Sequence, residues 1–181
     1  MQITVYDNLP RLHFAAGKDE LRQSMLYIQI KGNKAYVTNA HIALIADLIS
    51  YMSDRMPDCY ILATDWKKIC GKGISIIIGD GIIDIVSKSK TEIIKFIPAD
   101  KFENKVPDIE VVIPEKDTKT QEGFDIIGLR SDILSQFASV APTGRFSFKF
   151  IDTNKPIRVD SIDAYNPLYG AIMPCLIPES Y

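Results

Sequence analysis

Gln2 to Tyr6 alternates polar and apolar residues, the period of a strand with one buried face. Asn8-Leu9-Pro10 then reads as a helix start, with Asn8 as cap and Pro10 in the first turn. Leu9, Leu12, His13 and Ala16 share one face of that helix, and Gly17 ends it. Met25 to Ile30 and Lys34 to Asn39 form a strand pair around the turn Lys31-Gly32-Asn33. His41 to Tyr51 is mostly apolar. A helix and a buried strand both produce such a run, and periodicity does not choose between them.

The same order of elements returns twice. Tyr60 to Leu62 is a short strand, Thr64-Asp65-Trp66 opens a helix capped by Thr64 or Asp65, and Gly71 and Gly73 close it. Ile74 to Ile78 and Ile82 to Ser87 are β-branched runs joined by Gly79-Asp80-Gly81, and Glu92 to Ile97 adds another strand. A connector, Phe102 to Gly123, contains Pro107 and Pro114, with Val111 to Ile113 expected to pair as an edge strand. In the third cycle Phe124 to Leu129 is a strand. Ser131 caps a helix whose apolar positions are Ile133, Leu134, Phe137 and Val140, and Pro142 and Gly144 end it. Phe146 to Ile151, Pro156 to Asp160 and Tyr169 to Met173 supply the closing strands. Three strand–helix–strands units predict an α+β fold, with helices on one face of curved antiparallel sheets. The expected division is a two-unit domain over 1–114 and a one-unit half-domain over 115–181.

Composition narrows the function classes. The chain has 181 residues, 46% hydrophobic and 24% charged, which is ordinary globular usage with room for a sizeable core. Its formal net charge is −2, so any contact with nucleic acid must come from a local basic patch. Cys59, Cys70 and Cys175 are odd in number and widely spaced, which argues against a disulfide framework or a zinc site. No apolar run reaches membrane-spanning length and the first residues lack a signal-peptide pattern, so a cytoplasmic protein without a membrane partner is expected. His13 reads as a packed residue. Cys70-Gly71-Lys72-Gly73 lacks the spacing of a phosphate loop, and no nucleotide or hydrolase fingerprint is present. No metal or cofactor is expected.

Three segments carry a family resemblance. Asp19 to Leu48, DELRQSMLYIQIKGNKAYVTNAHIALIADL, resembles the stretch of the bacterial β sliding clamp (the DNA polymerase III β subunit) that ends in T-D-G-H-R-L-A. Here the motif reads Thr38-Asn39-Ala40-His41-Ile42-Ala43, with asparagine for aspartate, alanine for glycine and isoleucine for arginine. Phe102 to Pro114, FENKVPDIEVVIP, resembles the inter-domain linker, which carries F-P-D and then I-P or L-P. Phe124 to Cys175 resembles the last half-domain, whose final strand reads Y-V-V-M-P-M; this chain has Tyr169-Gly170-Ala171-Ile172-Met173-Pro174-Cys175. The order covers nearly the whole chain and looks like a middle domain followed by the closing half of the last one.

The resemblance implies a DNA-clamp-like processivity or scaffold protein with no catalytic residues. Its partners would be double-stranded DNA, held without sequence preference, and linear peptides of polymerase or clamp-loader type. Self-association would run through edge strands. The implied peptide pocket comprises Thr38, His41, Leu44, Pro114, Ile172, Met173, Pro174 and Cys175, where flexible methionine beside rigid proline suits an apolar anchor. The implied DNA-facing residues are Arg11, Lys18, Arg22, Lys67, Lys68, Lys72, Arg130 and Arg145, in or beside the predicted helices. Two other readings remain open: a clamp-fold protein-binding module that does not encircle DNA, and a small hydrolase or nuclease using Asp152, Asp160 and Asp163.

Overall fold

The computed structural model describes residues 1–181 except 72, 88–89, 120–126, 142–143, 153, 163–167 and 176–181. Eleven strands occur among the described residues: β1 Gln2–Thr4, β2 Tyr27–Lys31, β3 Lys34–Thr38, β4 Ile42–Asp47, β5 Cys59–Leu62, β6 Ser75–Ile78, β7 Ile82–Val86, β8 Thr91–Pro98, β9 Phe146–Lys149, β10 Ile157–Ser161 and β11 Leu168–Ile172. Three α-helices accompany them: α1 Ala63–Ile69, α2 Ile109–Val112 and α3 Ser131–Val140. The strands run in the order β1-β6-β7-β8-β5-β2-β3-β4-β11-β10-β9, every neighbouring pair antiparallel.

This order shows how the units interlock. β1 leaves its own unit to pair with β6 of the second, and β5 leaves the second to pair with β2 of the first. The third unit joins through last strands, β11 against β4. α1 and α3 both pack against the short 3-10 turn Leu12–Phe14, which places these three together, while α2 packs against β3 and β4 away from them. Trp66 of α1 is fully buried there, and its indole N–H donates to the Pro10 carbonyl at 2.9 Å.

β4 settles the ambiguity of the apolar run after His41. Ile42, Leu44 and Ala46 enter the main core, while Ala43 and Ile45 enter a second cluster on the opposite face. A strand buried on both faces has no polar positions to mark its period. The second cluster is closed by Ile109 and Ile113, so Val111 to Ile113 is not the expected edge strand; Val111 and Val112 complete a single helical turn. Ile109 opens this turn and Ile113 follows it in extended conformation, and both are buried in the second cluster.

Other local expectations also change. The helix expected after Asn8 shrinks to the turn Leu12–Phe14, because the Arg11 amide bonds the Val140 carbonyl of α3 and the Gly17 amide bonds the Met25 carbonyl. α1 begins at Ala63 without a side-chain cap, since Asp65 pairs with Lys68 at 2.6 Å. Ser131 is the first residue of α3 and not its cap. Of the strand expected over Phe124 to Leu129, only 127–129 lie among the described residues, with Gly128 bridging Cys175.

Candidate functional site

Where β3 turns into β4, the backbone is held by its own side chains. The Thr38 hydroxyl donates to the Ile42 carbonyl at 2.7 Å and accepts from the Ala40 amide at 3.1 Å. The Asn39 side-chain oxygen accepts from the amides of His41 and Ile42 at 2.9 and 2.8 Å. Its amide nitrogen donates to Gln136 of α3 at 3.0 Å, a bond an aspartate does not donate. Ala40 has φ +73°, a left-handed conformation that costs an alanine and not a glycine. The quoted motif carries glycine at this place.

Beside this turn lies an apolar cavity of about 240 Å³. It is lined by Thr38, Ala40, His41, Ile42 and Ala43 of the turn and β4, by Ala171 and Met173 at β11, by Pro107, Ile109 and Val112 at α2, and by Met25. The cavity depends on the β4–β11 ladder, which the Met173 amide extends by donating to the His41 carbonyl at 2.9 Å. Gly170 makes this ladder possible: a β-carbon there would stand 2.0 Å from the Ala43 carbonyl oxygen.

The structure therefore brings together Thr38, His41 and Met173 from the expected set. Leu44 and Ile172 are fully buried in the main core. The Pro114 carbonyl accepts from Arg158 at 2.6 Å, and the linker proline that lines the cavity is Pro107. Pro174 and Cys175 are half-buried, and the Cys175 amide donates to the Gly128 carbonyl at 2.9 Å. Sequence reasoning missed Met25, Ala40, Ile42, Ala43, Ile109, Val112, Ala171 and Pro107 as lining residues. Strand alternation carried a signal for two of them, since Ala43 and Ala171 are register partners on one sheet face.

No family model matches the sequence, and no curated protein matches it. Solved structures do. The Helicobacter pylori β clamp superposes with a TM-score of 0.67 at 11% identity, covering 97% of this chain and 66% of that one. The Pseudomonas aeruginosa DNA polymerase sliding clamp gives 0.64 at 14% identity, covering 98% and 66%. The DNA polymerase III β subunit of Thermotoga maritima gives 0.60 at 12% identity, covering 92% and 62%. The chain has the bacterial sliding-clamp fold. It spans less than two thirds of the length of these clamps.

Placed on the clamp fold, the expected DNA-facing residues separate into groups. Arg22 lies 3.9 Å from Asp19, Lys68 pairs with Asp65 at 2.6 Å, and Arg130 pairs with Asp132 at 2.7 Å. Arg11, Lys18 and Lys67 are exposed and, among the described residues, have no carboxylate within ion-pair distance. Arg11 and Lys67 flank His13, whose pKa is lowered first by burial and then by these two charges. Lys18, Arg22 and Arg130 line a polar cleft that shares Met25 and His41 with the apolar cavity. Arg145 is exposed, and Lys72 lies outside the described residues.

Among the described residues no group of His, Cys, Asp or Glu is placed to hold a metal ion. Asp160 is tied up by Arg158 at 2.6 Å, and Asp163 lies outside the described residues. No helix of the described chain is long and apolar enough to cross a membrane.

Proposed function

We propose that this chain is a sliding-clamp-type processivity or scaffold protein. In this reading it holds double-stranded DNA without sequence preference, recruits partners through a linear peptide, and performs no covalent step. Residues 1–114 act as the two-unit body and 115–181 as a half-domain. The observation that carries the reading is the apolar cavity at the β4–β11 seam, where the Met173 amide meets the His41 carbonyl. An apolar concavity with few polar groups suits an aliphatic or aromatic anchor. Met173→Asp places a charge in the wall and is expected to abolish binding of a labelled hexapeptide with adjacent Leu and Phe anchors, read by fluorescence anisotropy. Because Met173 is exposed, the melting temperature should not move. A variant that still binds the peptide removes the pocket from the account.

Phosphate contact, in the same reading, falls mainly to Arg11, Lys18 and Lys67, expected contact cations that, among the described residues, have no carboxylate within ion-pair distance. Arg11→Glu with Lys67→Glu should flatten the salt dependence of DNA retention by about two units of log–log slope, and Lys68→Glu should change it less. One observation favours a second reading, a peptide-binding clamp-fold module that does not encircle DNA: three of the expected contact cations are ion-paired, and the net charge is −2. DNA retention that does not vary with salt, measured before any mutation, selects that reading.

A further inference from the structure

One wall of the cavity is a weak element. α2 is a single turn, too short to be stable alone, and no side chain caps it. Its inner side is held by Ile109 and Ile113, while Val111 is 78% exposed. Pro107, Ile109 and Val112 nevertheless line the cavity, so its width follows the position of α2.

A second set of contacts to α2 lies outside the cavity. Glu110 accepts a hydrogen bond from the Tyr36 hydroxyl at 2.9 Å and stands 3.5 Å from the Lys34 ammonium, both on β3. Lys34 also donates to the Tyr169 hydroxyl of β11 at 3.1 Å, so one carboxylate ties α2 to both strands that flank β4. Beyond the helix, the Arg158 guanidinium of β10 donates to the Pro114 carbonyl and lies over the Tyr169 ring at 5.5 Å. Asp160 holds that guanidinium at 2.6 and 2.7 Å.

We propose that Glu110 is a positioning residue for the apolar cavity: through Tyr36 and Lys34 it holds α2 at the spacing a bound peptide needs. Affinity is then set partly by a side chain that the peptide does not touch. This rests on the peptide-pocket reading above.

Two measurements on the full chain test it together: hydrogen exchange of amides 109–113, and binding of the same Leu-Phe hexapeptide. Glu110→Ala should speed exchange at these amides, leave the strands unchanged, and weaken the peptide about 3- to 10-fold. Glu110→Gln keeps an acceptor for Tyr36 but loses the charge facing Lys34, and should fall between. Val111→Ala, on the exposed side of the same turn, should move neither readout. Tyr36→Phe combined with Glu110→Ala should be non-additive, because both break one contact. Unchanged exchange at 109–113 overturns the proposal, and so does faster exchange with unchanged peptide affinity. A wild-type chain that binds no peptide removes the pocket reading instead, and the exchange comparison still decides whether Glu110 holds α2.

Discussion

Gly170→Ala tests the seam on which the candidate site stands. The added β-carbon would lie 2.0 Å from the Ala43 carbonyl oxygen, 2.6 Å from Leu44 Cδ2 and 3.0 Å from Leu44 Cα. A carbon and a carbonyl oxygen settle at about 3.3 Å, so the strands must part by about 1.3 Å at this point. The nearest obstacle is backbone, so no rotamer change relieves it. Gly170 sits in the middle of five register pairs between β4 and β11, and a separation there strains the whole ladder. Overpacking of this kind costs about 3 kcal/mol, the upper end of the usual range. For a chain of this size that lowers the melting temperature by about 6 to 12 °C. Thermal unfolding followed by far-UV circular dichroism reads it. The fluorescence of Trp66, the single tryptophan, reports the first two units separately. A Gly170→Ala protein that melts within about 2 °C of the wild type would show that β4 and β11 do not pair as described.

Three further outcomes follow from local features. Ala40→Gly removes a strained left-handed alanine but loosens the unfolded chain, and should raise stability by about 0.5 to 1 kcal/mol in urea titration. Burial pushes the Cys59 and Cys70 thiols up to about 12, so both should resist a thiol reagent at pH 8 in the native protein and react on unfolding. Since the folded values are raised, their contribution to stability is intact below about pH 8.5 and is lost as pH rises through the folded values, which a pH series of urea midpoints measures.

Most strands were legible because each has one buried face: Tyr27 to Lys31 and Ile157 to Asp160 keep the alternation that a half-buried sheet imposes. β4 was not, because α2 covers the face that would otherwise have carried polar residues. α2 itself was misread for a related reason. Val111-Val112-Ile113 is β-branched and reads as a strand, but burying both Ile109 and Ile113 against Tyr36, Ala43 and Ile45 outweighs that propensity. The pocket was legible only through the family resemblance, since nothing local connects His41 to Met173. Of the two linker prolines, the resemblance points to Pro114, whereas Pro107 is the one that lines the cavity.

The two proposed surfaces depend on different parts of the fold, and this makes them separable. The cavity needs strand register: β11 must meet β4, Gly170 must let them close, and α2 must be docked. Arg11 and Lys67 need none of this, because they flank His13 beside the turn that α1 and α3 pack against. Lys18 is different, since it lines the polar cleft that shares Met25 and His41 with the cavity. Arg11→Glu with Lys67→Glu should therefore weaken DNA retention and leave peptide affinity within about 2-fold, as expected for distant sites with no shared partner. Lys18→Glu should disturb both, because a charge reversal at the cleft acts within a Debye length of about 8 Å at physiological salt. Measuring the two affinities on the same three proteins decides the point. Equal loss of both activities in the Arg11, Lys67 variant would mean that peptide and DNA compete for one surface, and the separation drawn from the fold would be wrong.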